Sequence, residues 1–460
     1  MKLCLRNVSN ATKPFLFKEF RRYTSKFAVK VDETVQKQIE VEGGVSPRRH
    51  PGIINFNRES LPERIQKTLE RIVGDYPVKG LLNDCKKLNQ FISSRHPPAE
   101  DFEINTKIKQ ISEEIDEMMP PEERANLDEE GLKRFQKRKE QLMKRRMKER
   151  TFAWKPIQYG SYESIVYALG RGPLEYAVLM RVLHEIRERD KDFKPQSFLD
   201  FGSGIGTGMW SVSSLWKDSI YEYYNVDSSR YMNDLSELIL KEGNANQQMT
   251  LRNVFYRQFL PALETKYDLV LSSYSLFELS SAHNRHGAIL NLWKKCDGYL
   301  IIVEEGSRRG SELVNEARDL ILSQEDHCLV GHVFAPCPHD SICPRLSNTD
   351  DRTPCNFQIT YTPTKLESSK HKDLTARFSY VVLKKGLPTD STRLWPRLVR
   401  PTLVRSKHSI CRMCTSEGTL TEIIFTQSKH GRSAYRCARS SRWGDRLPII
   451  IEDKCNTNHK

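Results

Sequence analysis

With 460 residues, 38% of them hydrophobic, the chain is long enough for two or three domains and a real core. No run approaches the ~18 consecutive apolar residues of a membrane-crossing helix, so that class is excluded and no membrane partner is expected. A net charge of +14 points to an anionic partner, most economically nucleic acid, against the plainer reading of a basic solvated surface.

Residues 1–23 carry Lys2, Arg6, Lys13, Lys18, Arg21 and Arg22 against the single acid Glu19, with Phe15, Leu16, Phe17 and Phe20 between them. That basic, acid-poor, amphipathic composition is that of a mitochondrial transit peptide. Cleavage is expected after Tyr23, delivering the chain to the mitochondrial matrix with its cation excess intact. Residues 24–150 read as a helical, basic N-terminal region without a strand-length β-branched run. Ser60-Leu61-Pro62-Glu63 has the chemistry of a helix start, and 105–119 and 122–150 read as two further helices. Ten cations between Lys133 and Arg150 face only Glu140 and Glu149, more than acids four residues away could neutralise. Phosphate contact explains such a helix; a solvated face or an acidic protein is the competing reading.

A cofactor-binding core is expected over 151–309. One apolar helix over 162–186 precedes its first strand, with Tyr159 or Tyr162 placed to close over a ligand. The organising stretch is SFLDFGSGIGTGMW, residues 197–210, where an apolar strand enters a turn of alternating glycines and then a helix. Glycines let the backbone approach a ligand closely, and the helix N-terminus offers free N–H groups. The spacing of Asp200, Gly202, Gly204 and Gly206 is acid-x-G-x-G-x-G rather than the dinucleotide G-x-G-x-x-G, and it resembles motif I of class I S-adenosylmethionine (SAM) methyltransferases. A second strand over 220–226 ends at Asp227, where a carboxylate can accept ribose hydroxyls. Strands over 251–256, 267–272 and 298–304 alternate with helices over 231–241 and 285–295. Near-continuous apolar strands separated by helices imply a parallel sheet covered on both faces. The expected fold class is therefore α/β, doubly wound, with residues 377–392 returning as a late antiparallel strand and 310–376 partly forming a cysteine-rich insertion. Residues 393–460 read as a small basic β module with strands over 398–404, 419–425 and 433–437.

Substrate groups bind at the carboxyl ends of such strands. After the fourth strand the chain reads Ser272-Ser273-Tyr274-Ser275-Leu276-Phe277, without the proline pair of amino-group methyltransferases acting on bases. Pro336-Cys337 has the dipeptide of cytosine C5 enzymes, but Cys337 belongs to a larger set. Cys337, Cys343 and Cys355 are each flanked by proline, and a Cys-x-x-Cys follows at Cys411 and Cys414. In a reducing compartment clustered thiols read as metal ligands or core residues rather than disulfides. An iron-sulfur cluster on the proline-flanked loop and a zinc ribbon built from Cys411, Cys414, Cys437 and Cys455 both fit the spacing.

The stretches Asp200 to Gly208, Phe255-Tyr256-Arg257-Gln258-Phe259-Leu260-Pro261, Ser275-Leu276-Phe277-Glu278-Leu279, Val333-Phe334-Ala335-Pro336-Cys337-Pro338-His339 and Tyr435-Arg436-Cys437-Ala438-Arg439 with Trp443-Gly444-Asp445 resemble the methyltransferase-like protein 17 family of mitochondrial small-ribosomal-subunit assembly factors, over roughly residues 50–455. The resemblance implies a SAM-binding methyltransferase fold, a [4Fe-4S] cluster, and docking on immature small-subunit rRNA between head and body. By position it makes Cys337, Cys343, Cys355 and Cys411 the cluster ligands, with Cys414 the rival for the fourth place. It makes Asp200, Gly202, Gly204, Gly206 and Asp227 the SAM-binding residues. Two functions follow: a monomeric assembly factor that binds the small subunit, its rRNA and its proteins without transferring methyl groups, or an active SAM-dependent rRNA methyltransferase. The missing motif after the fourth strand favours the first, because binding SAM does not by itself supply transition-state stabilisation.

Overall fold

The computed structural model describes residues 21–22, 27–41, 44–54, 58–74, 76–118, 127–150, 154–324, 330–348, 351–366 and 372–453. Nearly all of the expected transit peptide lies outside these. Its Arg21–Arg22 forms a short strand, β1, and Phe27–Val31 forms β2. The second departs from the all-helical expectation for this region: Phe27, Val29 and Val31 alternate with period two. Helices follow at Glu33–Glu40 (α1), Glu63–Ile72 (α2), Val78–Ser93 (α3), Asp101–Met118 (α4) and Glu129–Arg150 (α5).

The expected single helix before the core is two, Ser161–Gly170 (α6) and Gly172–Arg189 (α7). Gly172 and Pro173 interrupt it, because proline lacks the N–H that a continuing helix needs. Then come Ser197–Phe201 (β3), Thr207–Trp216 (α8), Glu222–Val226 (β4), Arg230–Leu240 (α9), Val254–Arg257 (β5), Tyr267–Ser273 (β6), Ala282–Lys295 (α10), Cys296–Glu305 (β7), Arg308–Leu322 (α11), Gly331–Ala335 (β8), Phe357–Tyr361 (β9) and Leu374–Lys385 (β10). These strands form one sheet in the order β5-β4-β3-β6-β7-β10-β8. β3 to β7 pair in parallel, and β10 runs antiparallel to both β7 and β8. The first half of β10 also pairs with β9. Residues 310–376 are thus only partly an insertion, since they supply α11 and the edge strand β8.

Both faces of the sheet are buried, which is why its strands read as continuous apolar runs. Phe198, Leu269, Leu271 and Ile301 pack with Val178, Val182 and Met209 under α7 and α8. The alternate residues Leu199, Val270, Leu300 and Ile302 pack with Ile289, Trp293 and Ala317 under α10 and α11.

The C-terminal module is a second sheet of β1, Arg397–Leu398 (β11), Leu403–Val404 (β12), His408–Cys414 (β13) and Leu420–Thr426 (β14). It is followed by the helix Gln427–Ser440 (α12) and by Ile449–Asp453 (β15), which pairs with β2. The expected strand over 433–437 is helix, and its buried residues Ala434, Cys437 and Ala438 sit at helical spacing. No helix among the described residues is long and apolar enough to cross a membrane.

Candidate functional site

The glycine turn sits at the carboxyl end of β3, where the strand order reverses direction between β4 and β6, the crevice in which open α/β sheets bind ligands. Gly202, Gly204 and Gly206 all have positive φ, at 73°, 51° and 90°. A Cβ on Gly204 would meet nothing within 4 Å, so the loop's crest faces open space, whereas one on Gly208 would lie 2.3 Å from Asp200 Oδ2. Gly208 is therefore required by close packing of helix on strand. Asp227, at the end of β4, accepts from Gly204 N and Ser229 N, both at 2.8 Å. Burial raises its pKa, and those two amides oppose the rise. Asp200 is fully buried and both its carboxyl oxygens lack a hydrogen-bond partner. Burial, then the charges of Asp227 and Glu175, hold it well above the usual carboxylate range. The structure thus brings Asp200, Gly202, Gly204, Gly206 and Asp227 into one loop cluster. Tyr159 lies beside it, its carbonyl accepting from Ser229 Oγ at 2.9 Å, while Tyr162 instead donates to Asp84 on α3.

Beneath this loop lies a buried polar network that carries no motif. Arg171, in the break between α6 and α7, pairs with Glu175 at 3.1 Å and Glu305 at 2.6 Å, and its guanidinium lies 4.7 Å from the Tyr274 ring centre. Glu304, at the end of β7, accepts from Leu276 N at 2.8 Å, while its other oxygen is buried without a partner. Burial pushes its pKa up to about 8, against the Leu276 amide. Its one signal in the sequence is position, since GYLIIVEE ends in acids at the same sheet edge as Asp200 and Asp227. At the carboxyl end of β6 the hydroxyls of Ser272 and Ser275 bond each other at 2.6 Å, and Tyr274 takes a positive φ of 55°.

The second site lies between the core and the C-terminal module. Arg318 on α11 holds the loop after β8, donating to the carbonyls of Ser341 at 2.6 Å and His339 at 3.2 Å, and Arg345 pairs with Asp351 at 3.0 Å. Cys337, Cys343, Cys355 and Cys414 line one partly open pocket, walled by Pro336, Pro344, Phe357, Val399 and Leu420. His339 Nε2 is 3.3 Å from Cys414 Sγ. Cys411, placed fourth in the sequence-based set, is not there. It occupies the core of the C-terminal module with Cys437, its Sγ directed to the Ala438 carbonyl. The reason is geometric: Cys411 and Cys414 are three apart on the extended strand β13, so their side chains leave opposite faces. The same alternation splits the zinc-ribbon pair, and Cys455 lies outside the described residues. Burial pushes Cys337 up to about 12 and Cys355 up to about 11, while the charges of Arg318 on the first and of Arg345 and Arg400 on the second pull towards thiolate. Among the described residues no three His, Cys, Asp or Glu converge as ligands of a single metal ion.

The basic helix α5 pairs back onto α4. Lys139 meets Asp116, and Arg146 and Arg150 both meet Glu114, each at 2.7 Å. Acids of a neighbouring helix thus neutralise part of the charge that the sequence left unmatched. Lys137, Arg138, Lys144 and Lys148 have no ion pair among the described residues.

The strand order and the glycine loop define a protein with the class I methyltransferase fold. Within that class the chain belongs to the family described as mitochondrial small ribosomal subunit Rsm22, whose family model matches residues 161–448. It is 33% identical over 408 residues, 88% of this chain and 86% of the relative, to the human "Ribosome assembly protein METTL17, mitochondrial". It is 29% identical over 326 residues to the "Rsm22-cox11 tandem protein 2, mitochondrial" of Schizosaccharomyces pombe, matching 60% of this chain and 42% of that longer protein. Among solved structures, magnesium protoporphyrin IX methyltransferase from Synechocystis overlays 51% of this chain and 90% of its own, at 12% identity and a TM-score of 0.30. A SAM-dependent methyltransferase from Aquifex aeolicus overlays 49% and 99%, at 16% identity and a TM-score of 0.28. At such scores the fold rests on the strand order.

Proposed function

We propose that this protein is an assembly factor of the mitochondrial small ribosomal subunit, working in the matrix as a monomer that binds the subunit's rRNA and proteins. It binds SAM without transferring its methyl group. Gly202, Gly204 and Gly206 would carry SAM, with Asp227 on the ribose hydroxyls; Asp200, buried and unpartnered, offers an acceptor to a cationic ligand. Cys337, Cys343, Cys355 and Cys414 would hold a [4Fe-4S] cluster. Four thiols lining a pocket, rather than meeting at a point, suit a polynuclear cluster better than one ion, and Arg318, Arg345, Arg397 and Arg400 offset thiolate charge. The cluster would pin the loop after β8 to the C-terminal module.

The observation that carries assembly over catalysis is the segment after β6. Ser272 and Ser275 satisfy each other, and Tyr274 is half-buried with its hydroxyl oxygen enclosed, which holds its pKa well above the usual tyrosine range. That leaves no poised base or nucleophile within residues 272–277; Glu304, the one group nearby with a pKa raised towards neutrality, is fully buried and holds the Leu276 amide with one oxygen. The test uses anaerobically purified protein, immature mitochondrial small subunits and methyl-labelled SAM. Binding of both without label in rRNA is expected. Asp227→Ala should weaken SAM about tenfold or more while leaving subunit binding in place. Label in rRNA that disappears in this variant would make the protein an rRNA methyltransferase.

The basic helix gives a second expected result. Reversing Lys137, Arg138, Lys144 and Lys148 to Glu should weaken RNA binding and flatten its salt dependence, by roughly 0.7–0.9 in log–log slope for each phosphate no longer neutralised. An unchanged slope would turn this face towards another partner.

A further inference from the structure

Successive parallel strands are ordinarily joined by a helix that covers one sheet face, but the crossover from β5 to β6, residues 258–266, is an irregular loop. It is tied down by Lys295, which donates to the Leu263 carbonyl, and by Lys266, which donates to the Lys294 carbonyl. On β5 the Tyr256 hydroxyl bonds Ser236 on α9 at 3.0 Å, so that face is covered. Phe255 and Arg257 leave by the other face, where α10 packs on β6 and β7 instead. There the Tyr224 ring lies 6.2 Å from Phe255 and 5.8 Å from Tyr267, with the Arg257 guanidinium 5.8 Å from its centre. Phe255 is 39% exposed, and in the loop beyond it Phe259 is 79% and Leu263 75% exposed.

We infer that this bare edge of the sheet is a stacking platform for single-stranded RNA. Exposed rings on a sheet face beside cations are the means by which proteins stack unpaired bases. Phe255 and Phe259 offer the rings, and the exposed Arg252, Arg257 and Lys266 offer charge to the phosphates. Glu222 shares the face close to Tyr267 and Glu264 sits in the loop, so the local charge excess is small and the rings must contribute most of the affinity. A duplex, its bases already stacked, has nothing to give this surface.

The inference rests on the RNA-binding reading above, and its test separates the two. Full-length protein is titrated with a single-stranded RNA oligonucleotide carrying a fluorescent adenine analogue, and with the matching duplex, across a salt series. The wild type should prefer the single strand and quench the analogue. Phe255→Ala with Phe259→Ala, both exposed and so folding normally by melting temperature, should lose about tenfold in single-strand affinity and the quenching, with the salt slope unchanged. Arg257→Gln with Lys266→Gln should instead lower the slope by up to about 1.4. Equal affinity and quenching in the aromatic variant would overturn the platform while leaving RNA binding elsewhere intact. No RNA binding by the wild type would overturn both readings. Loss of subunit association with RNA affinity unchanged would overturn the platform and assign the face to a ribosomal protein.

Discussion

Replacing Glu185 with alanine is expected to destabilise the protein by about 3–5 kcal/mol, the cost of stranding buried charge. Glu185 is fully buried on α7 and pairs with Arg397 on β11, with Arg189 at 3.0 Å and with Arg181 at 3.3 Å, and it also accepts from the Tyr380 hydroxyl at 3.1 Å. Arg397 donates on to the carbonyls of Pro336 and Gly444, both at 2.9 Å. One carboxylate therefore joins the sheet, the cysteine loop and the C-terminal module. Its removal leaves Arg181 and Arg397 as buried cations held mainly by carbonyls. A melting-temperature loss on the order of 5–10 °C is expected, with looser protection of the C-terminal module in hydrogen exchange. Glu185→Gln should recover the packing but not the charge and fall between the two. A drop under about 1 kcal/mol would show that the three guanidiniums find other partners.

The pH dependence of this linkage has a definite sign. The neighbouring arginines overcome burial and hold Glu185 well below its usual range. A carboxylate with a depressed folded pKa contributes stability that is fully present above its unfolded value of about 4.3 and is lost as pH falls towards the folded pKa. Wild type should therefore lose stability through acid conditions more steeply than Glu185→Gln. Parallel curves would mean that other groups set the acid response.

The alternation of strands and helices and the glycine loop were legible because local chemistry and global position coincide there. The run Ser197–Phe201 into alternating glycines admits little besides a strand, turn and helix, and Asp227 closes the next strand at the same edge. Elements failed where the deciding information was distant. β2 is stabilised by β15, more than 400 residues away in sequence, and residues 433–437 became helix because Cys437 and Ala438 bury against β13 and β14. The network of Arg171, Glu175, Glu304 and Glu305 was invisible for the same reason: buried charges are assembled by tertiary contact, and no spacing announces them. The unmatched cations of α5 misled in part because their acids, Glu114 and Asp116, stand on another helix.

Cys411 and Cys414 make the sharpest test of how far structure corrects sequence. Position in the chain separates them by three residues, and strand geometry separates them completely. On the cluster proposed above, Cys414→Ser is expected to abolish nearly all iron and sulfide and the visible absorbance of the anaerobically purified protein, because three thiolates leave a cubane corner open. Cys411→Ser should retain iron, losing about 1–2 kcal/mol for a hydroxyl set in an apolar core; Cys411→Ala controls for the hydroxyl. Because a cluster that binds only the folded form stabilises it by mass action, Cys414→Ser should also melt lower than Cys411→Ser and lose ribosome association with its iron. The reverse pattern, iron kept in Cys414→Ser and lost in Cys411→Ser, would require β13 to turn over in the holo-protein. That would break its pairing with β14, which runs in unbroken register from His408 to Cys414. Such a change would cost a sheet of ladder bonds, which is the ground for proposing Cys414 as the fourth thiol.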